Sequence, residues 1–292
     1  MLKKTLPFIA LLVIAAIFLA SMSTKESIMP NPVILPAVPM QLDFAGEKVP
    51  LESSDVFERM DRELLVNTFW HSNSILMLKR AEKYFPIIEP ILSSHGIPED
   101  FKYLAVIESG LINATSPAGA KGFWQLMRGT AREYGLEVNS NVDERLHLEF
   151  STEVACIYLK KAYEKFGSWT LAAAAYNAGR SRVARYLDYQ QADNYYDLLF
   201  GEETGRYVFR ILAAKLLFEK PELYGFNLSS QQKYTPNEVR WVDVDTAIVS
   251  LAKFASDFDM NYKELKLLNP WLLEPHLNNK SRKPYKIAVK ID

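Results

Sequence analysis

The sequence has 292 residues, a length that suits one large domain or a medium-sized domain with a small one. Its 34 basic and 35 acidic side chains nearly cancel, and the formal net charge of −1 excludes the overall basic field of a nucleic-acid-binding protein. The single cysteine, Cys156, cannot form an internal disulfide and is expected to fill space in the core, while His71, His95, His147 and His276 lack metal-ligand spacing. We therefore expect no metal, no cofactor and no nucleic-acid partner.

The first 23 residues follow the order of an export signal. Lys3 and Lys4 precede an almost wholly apolar run from Leu6 to Ala20, and small polar residues follow it. The run is shorter than the roughly 20 residues of a full membrane span, so residues 1–23 are either a cleaved signal peptide or an uncleaved membrane anchor. Both alternatives predict export to the periplasm or cell envelope, with membrane contact only through this segment.

Residues 24–53 are rich in proline, which predicts a linker or an irregular arm wrapping the domain, without regular structure. The prolines are Pro30, Pro32, Pro36, Pro39 and Pro50.

Residues 54–226 show helical periodicity and no strand-like alternation. The stretch ILMLKRAEKYFPIIEPIL predicts a helix that is broken or kinked near Pro86 and Pro90. In the next helix, Glu99 and Asp100 lie in the first turn, where acidic side chains suit capping. Further helices are expected from Gly122 to Gly135, from Glu144 to Phe166, on both sides of a break at Asn177 to Gly179, and over ETGRYVFRILAAKLLFE up to Pro221.

The pattern changes after Gly225. Residues 227–238 predict a linker, and residues 239–292 predict a small strand–helix–helix–strand module. Its strands are expected over EVRWVDVDTA and YKIAVKI, and its helices over IVSLAKFASDF and NYKELKLLN. The predicted fold class is therefore mainly α with a small mixed C-terminal module.

Glu108 is the first candidate for chemistry. Phe101, Leu104, Ala105 and Glu108 share one face of a helix, and Tyr103, Val106 and Ile107 make its other faces apolar as well. A carboxyl group at the C-terminal end of a buried helix is favoured in its neutral form, as a general acid with a pKa of roughly 6 requires. The same pattern also fits a buried glutamate paired with an arginine, and this observation leaves both alternatives open.

Two other segments have the composition of a ligand-binding groove. SPAGAKGFWQLM combines small residues, which let a bulky ligand approach the backbone, with an aromatic pair. AAAAYNAGRSRV interrupts an alanine-rich helix with Tyr176 and Asn177, which offer an aromatic face and hydrogen-bonding groups.

Four motifs in order resemble the soluble-type lytic transglycosylases, which belong to glycoside hydrolase family 23 and have a goose-type lysozyme fold. They are IESG (Ile107 to Gly110), SPAGAKGFWQLM (Ser116 to Met127), AYNAG (Ala175 to Gly179) and ETGRYV (Glu203 to Val208). The preceding segment RAEKYFPIIEPILSSHGIPEDFKYL is similar to the D-type membrane-bound enzymes, and Arg240 to Lys290 resembles one degenerate LysM-like unit. Phe123 departs from the leucine of many relatives but stays apolar.

The resemblance implies a function for residues 54–226, the cleavage of the β-1,4 bond between N-acetylmuramic acid and N-acetylglucosamine in peptidoglycan with formation of a 1,6-anhydromuramyl end. It implies that Glu108 is the single catalytic carboxyl group and that Tyr207 orients it. The implied substrate-binding residues are Ser116 at the acetamido group, Gln125 and Met127 along the groove, and Tyr176 and Asn177 at the neighbouring sugar. Glu203 is expected to hold a loop, and Asp143 and Glu144 to cap a helix.

Two other functions fit the sequence. A lysozyme-type hydrolase on the same fold would need a second acid to activate water. A non-catalytic envelope scaffold would bind glycan, and such a protein would be expected to have lost Glu108, which this sequence retains. In each case the expected partner is the peptidoglycan glycan strand, and the C-terminal module could in addition dock an envelope protein.

Overall fold

The structure is a computed structural model that describes residues 35–291. The signal peptide or anchor predicted for residues 1–23 lies outside this range. Within the described range, no helix combines the length and the hydropathy that crossing a membrane requires.

Helices dominate the part of the chain before the C-terminal module, as the periodicity predicts. In chain order they are α1 (Ser54–Phe69), α2 (His71–Ser94), α3 (Lys102–Ser109), α4 (Arg128–Glu133), α5 (Leu148–Phe166), α6 (Trp169–Ala178), α7 (Arg180–Gln190) and α8 (Glu202–Glu219). Short 3-10 helices cover Glu99–Phe101, Glu144–Leu146, Pro221–Tyr224 and Ser230–Gln232. Helix α8 packs against α1, α3 and α6, so one central helix contacts elements from the whole length of this part.

Of the two predicted alternatives near Pro86 and Pro90, a broken or a kinked helix, the break is wrong, because α2 runs through both prolines over 24 residues. Each proline removes one backbone hydrogen bond, but Ile88 and Leu92 on the same stretch are almost completely buried. Burial of this face outweighs the local loss and keeps the helix continuous.

The helix predicted from Gly122 to Gly135 is also shorter than expected, because α4 begins only at Arg128. Gly122 and Gln125 have positive φ angles of 82° and 46°, which no α-helix contains. The residues before Arg128 therefore form a loop that includes the FWQ motif.

The proline-rich arm contains regular structure, contrary to the prediction. Strands β1 (Asp43–Phe44) and β2 (Glu47–Lys48) pair antiparallel around Ala45 and Gly46, which both have positive φ. Two positive φ angles in a two-residue turn match the twist of a hairpin. Phe44 is fully buried, and its ring lies 5.1 Å from that of Phe101 in an edge-to-face contact.

Polar contacts fix the same hairpin to two helices. Asp100 does not cap a helix as predicted: its carboxylate accepts the Ala45 N–H at 2.7 Å and pairs with Lys215 at 2.8 Å. Glu99 pairs with Lys102 instead of capping. The Glu47 carboxylate accepts the Thr170 N–H at 2.9 Å at the start of α6, where a negative charge is favourable.

The C-terminal module has the predicted strand–helix–helix–strand order. Strands β3 (Val239–Val244) and β4 (Tyr285–Lys290) pair antiparallel, with Val239 opposite Lys290 and Val244 opposite Tyr285. Helices α9 (Leu251–Ser256) and α10 (Tyr262–Leu268) lie between them in sequence. These elements enclose a second hydrophobic core, separate from the first. The mainly α fold class with a small mixed module is thus confirmed.

The segment predicted as a linker, residues 227–238, lies against α2. The Tyr234 N–H donates to the Lys79 carbonyl at 3.0 Å, and Lys233 pairs with Glu82 at 3.1 Å. The linker is therefore held along a helix of the first core.

Phe44→Ala should lower the free energy of unfolding by about 3–5 kcal/mol, because it removes a buried ring and leaves a cavity. The exposed Met40 is the matched control, and Met40→Ala should leave the stability unchanged. Urea denaturation of both variants measures the difference. A loss below about 1 kcal/mol for Phe44→Ala would show that the arm contributes little to the core.

Candidate active site

Glu108 lies at the C-terminal end of α3, where Gly110 adopts a left-handed φ of 62° and ends the helix. The Glu108 side chain is half-buried, and its Oε1 accepts a hydrogen bond from the Tyr207 hydroxyl. Tyr207 lies on α8 and is almost completely buried, so the phenol has little freedom to move. Arg210, one turn further along α8, donates from Nη2 to the Ile107 carbonyl at 2.9 Å.

Burial raises the pKa of the Glu108 carboxyl above its ordinary value. The hydrogen bond from Tyr207 and the positive charge of Arg210 lower this pKa, the charge of Glu203 raises it, and the net shift is upward. Within residues 35–291 no arginine forms an ion pair with Glu108. The carboxyl is therefore a desolvated acid, as a general acid requires, and not half of a buried ion pair.

Tyr176 lies near the same carboxyl, but its hydroxyl is already engaged. Burial and then the charge of Glu108 raise the pKa of Tyr176 well above its ordinary value. Its hydroxyl donates to the Trp124 carbonyl at 2.7 Å. The phenol therefore joins α6 to the FWQ motif, and this hydroxyl is not free to donate to a sugar without giving up that bond.

Asn177 and Glu203 form a polar cluster at the N-terminal end of α8. Asn177 donates from Nδ2 to Glu203 Oε1 at 3.1 Å, and its Oδ1 accepts from the Thr204 hydroxyl at 2.7 Å. Glu203 is exposed, while Thr204 is buried. The contacts agree with the expectation that Glu203 holds a loop, since it fixes the end of α6 to the start of α8.

The 116–127 loop takes its shape from its own side chains. The Ser116 hydroxyl accepts the Ala120 N–H at 3.0 Å, and the Gln125 amide donates to the Gly122 carbonyl at 2.8 Å. Trp124 is fully buried and donates from its indole to Thr152 at 2.8 Å. Ser116 and Gln125 thus have structural bonds that the sequence did not indicate.

The site residues fall into three groups. Tyr176 and Tyr207 lie close to the Glu108 carboxyl group, and Asn177 lies beside the start of α8. Ser116, Gln125 and Met127 are spread along the 116–127 loop, where Met127 is 47% exposed. No hydrogen bond within the described residues joins Glu108 to that loop directly.

Asp143 and Arg145 form a buried ion pair that the sequence analysis missed. Arg145 donates from Nε and Nη2 to the two Asp143 oxygens at 2.9 and 2.8 Å, and both side chains are only 2% exposed. Asp143 also caps the 3-10 helix that begins at Glu144, as predicted, by accepting the Arg145 N–H. Glu144 does not cap: its carboxylate accepts the Glu137 N–H at 2.6 Å. Asp143 and Arg145 are two positions apart, which is not a spacing that places two side chains on one face of a helix. The ion pair is therefore visible only in the structure.

The structure also bears on metal binding and on thiol chemistry. Residues 35–291 contain no group of three or more His, Cys, Asp or Glu side chains that could hold a metal ion. Cys156 is fully buried, as expected, and burial raises the pKa of its thiol to about 12, which makes it an unreactive packing residue.

Comparison with known families identifies the domain that contains this site. Residues 86–199 match the model of the transglycosylase SLT domain. The chain contains an SLT transglycosylase domain. Residues 240–290 match a second model, the soluble lytic transglycosylase C-terminal LysM-like domain. The SLT match includes Glu108, the 116–127 loop and Asn177, and it ends before Tyr207 on α8.

Curated relatives of this chain carry lytic transglycosylase names. Membrane-bound lytic murein transglycosylase D of Escherichia coli K12 is 27% identical over 235 residues, which cover 77% of this chain and 50% of the relative. Soluble lytic murein transglycosylase of the same strain is 29% identical over 111 residues, which cover 36% of this chain and 17% of the relative. The chain thus spans half or less of the length of these two relatives.

Two solved structures show partial similarity to this chain. The soluble lytic transglycosylase SLT70 of Escherichia coli gives a TM-score of 0.41 at 25% identity over 55% of this chain and 28% of that chain. An inactive mutant of the lytic transglycosylase Slt from Pseudomonas aeruginosa gives 0.40 at 22% identity, over 52% of this chain and 26% of that chain.

Glu108→Gln should raise the melting temperature at pH 7, because the folded state no longer holds a desolvated carboxylate. A carboxyl whose pKa is raised on folding destabilises the folded state only above its unfolded pKa of about 4.3. The advantage of the variant should therefore vanish below about pH 4. Melting curves between pH 3.5 and 8 measure the difference in melting temperature between the variant and the parent. An equal difference at pH 3.5 and at pH 8 would contradict the raised pKa.

Proposed function

We propose that this protein is a peptidoglycan lytic transglycosylase with Glu108 as its single catalytic carboxyl group. The observation that supports this most is the desolvated Glu108 acid, with its raised pKa and its bond to Tyr207. The SLT domain match and the names of the curated relatives point to the same reaction class.

In the first step the neutral Glu108 protonates the β-1,4 glycosidic oxygen between N-acetylmuramic acid and N-acetylglucosamine. The raised pKa supports this step because it keeps the proton available nearer neutral pH. The acetamido oxygen of the substrate attacks C1 as the bond to the leaving sugar breaks, a substrate-assisted route that needs no second carboxylate.

In the second step the ionised Glu108 takes the proton of the muramyl C6 hydroxyl. The C6 oxygen attacks C1, the acetamido group leaves C1, and a 1,6-anhydro ring closes. Tyr207 and the charge of Arg210 both lower the Glu108 pKa, so they stabilise the ionised form that this step requires. One carboxyl group acts first as acid and then as base, which an intermediate pKa favours.

The substrate would lie along the 116–127 loop. Ser116 would bond the acetamido group, Gln125 and the exposed Met127 would line the groove, and Asn177 would contact the sugar beside the cleaved bond. Tyr176 would contribute its ring face, since its hydroxyl is bonded to Trp124.

Hydrolysis is the second candidate because one observation favours it. Glu203 is exposed, and its negative charge makes the smallest of the named contributions to the pKa of Glu108, an upward one. It could serve as the base that activates water. Asp143 is unsuited to that role, since both of its oxygens accept hydrogen bonds from Arg145.

We further propose export to the periplasm or cell envelope through residues 1–23, cleaved or retained as an anchor. The partner would be the glycan strand of peptidoglycan, and the C-terminal module could also contact an envelope protein. The membrane-bound and soluble transglycosylases among the curated relatives support an envelope substrate.

Digestion of purified peptidoglycan tests the reaction. Mass spectrometry should detect fragments that end in anhydromuramic acid, lighter by one water than reducing-end fragments. Glu108→Gln should lower the turnover number by at least about 100-fold while the protein melts cooperatively. Reducing-end fragments would instead establish a hydrolase, and Glu203→Gln would then be the next variant.

Tyr207→Phe should lower the turnover number about 10-fold with little change in KM, because the acid loses its orienting bond. General-acid activity falls as Glu108 ionises, so the alkaline limb of the pH profile follows its pKa. Removing a bond that lowers this pKa should move the limb to higher pH.

Tyr195→Phe is the matched control for this experiment. Tyr195 is also a buried phenol near α8, but its hydroxyl donates to the carbonyls of Thr204 and Gly205 instead of to Glu108. The alkaline limb of the pH profile should stay in place in Tyr195→Phe. Equal turnover for Tyr207→Phe and the parent would contradict the orienting role.

A further inference from the structure

The segment from Glu137 to His147, called here the 137–147 segment, lies between the 116–127 loop and the C-terminal module. It connects α4 to α5 and therefore belongs in sequence to the SLT domain. Yet Val142, 1% exposed, packs inside the hydrophobic core of the module.

Backbone hydrogen bonds join this segment to the module. The Asp143 N–H donates to the Trp271 carbonyl at 2.9 Å, and the Leu273 N–H donates to the Asn141 carbonyl at 2.9 Å. The Asn141 side chain adds two bonds, to the carbonyl of His276 at 2.9 Å and from the N–H of Asn278 at 2.8 Å. The segment thus acts as an additional strand-like partner of the module.

An ion-pair cluster reinforces the junction. Lys283 of the module donates to Glu137 at 2.8 Å and to the buried Glu144 at 2.7 Å, and the Tyr285 hydroxyl donates to Glu137 at 2.8 Å. Burial raises the pKa of Glu137, but the bonds from Lys283 and Tyr285 outweigh it, and the net shift is downward. Glu137 is therefore ionised at neutral pH, and its ion pair with Lys283 holds the module to the segment.

On its other side the same segment holds the 116–127 loop. Arg145, anchored by Asp143, donates from Nη1 to the carbonyls of Gly119 at 2.9 Å and Leu126 at 3.1 Å. These carbonyls lie near the two ends of the loop. One buried guanidinium thus binds both arms of the loop at once, with a planar fork that lysine lacks.

Gly122 places the loop directly against the segment. A Cβ atom at Gly122 would lie 2.0 Å from the Arg145 carbonyl oxygen, which no real contact allows. Nearby, Asn113 donates to the Leu146 carbonyl at 3.1 Å. The loop and the segment are therefore packed backbone to backbone.

From these contacts we infer that Arg145 is a positioning residue for the proposed reaction, and that the C-terminal module supports the 116–127 loop through the 137–147 segment. This inference rests on the proposed function, since the loop carries the proposed substrate contacts Ser116, Gln125 and Met127. The module thus acts on catalysis as a structural support, whether or not it binds glycan itself. Loss of the support should impair substrate binding more than the chemistry of Glu108, which lies on α3.

Two variants in the full chain test the coupling from its two ends. Arg145→Lys keeps a positive charge beside Asp143 but cannot reach both loop carbonyls. Lys283→Met breaks the junction on the module side and touches neither the loop nor Glu108. Lys286→Met is the matched control, because Lys286 lies three residues after Lys283, on β4, and pairs at 2.9 Å with Asp243 of the module.

The first measurement is amide hydrogen exchange in the loop, which does not depend on activity. The N–H groups of Ala120, Lys121, Gly122 and Leu126 are bonded inside the loop or to its flanks. Their exchange should be about 10-fold faster or more in Arg145→Lys and in Lys283→Met, and unchanged in Lys286→Met. Unchanged exchange in Lys283→Met would overturn the coupling, even if Arg145→Lys failed to fold.

The second measurement is the steady-state kinetics on soluble, uncrosslinked peptidoglycan strands. Lys283→Met should raise KM about 5- to 10-fold with less than a 2-fold change in the turnover number, and the alkaline limb of the pH profile should stay in place. A KM equal to that of Lys286→Met would overturn the positioning role. A parent protein without activity would refute the proposed function alone, because the exchange experiment still tests the coupling.

Discussion

The burial of one carboxyl group is the constraint on which the rest of this structure depends. Helix α3 is apolar on nearly every side, and Glu108 at its end is half-buried. Desolvation then favours the neutral acid, while Tyr207 and Arg210 from α8 limit the shift. Because α8 packs against α1, α3 and α6, the electrostatics of the site depend on the packing of the whole helical core.

The other side of the site is stabilised differently. The 116–127 loop is held by its buried side chains Phe123, Trp124 and Leu126, and also by polar contacts to its backbone. Tyr176 bonds the Trp124 carbonyl, and Arg145 bonds the carbonyls at both arms of the loop. The Leu126 carbonyl also accepts the Lys121 N–H within the loop, so Arg145 adds a second bond to it.

Two segments without long helices are packed into the hydrophobic cores. The hairpin of the arm inserts Phe44 and binds Asp100, and the 137–147 segment inserts Val142 into the second core. The 137–147 segment adds backbone–backbone hydrogen bonds, whereas the hairpin is bonded through the carboxylates of Asp100 and Glu47. Arg145, which contacts both Asp143 and the loop, shows that such a junction can reach the proposed substrate groove.

The sequence by itself determined most helices of residues 54–226, the order of strands and helices in the module, and the placement of Glu108 at the end of an apolar helix. These features follow from local periodicity, which any window of the chain displays. Tertiary structure alone decided that α2 continues through its prolines and that Arg145 binds two carbonyls of the loop. Those outcomes depend on packing and desolvation between segments distant in sequence, which no local pattern encodes.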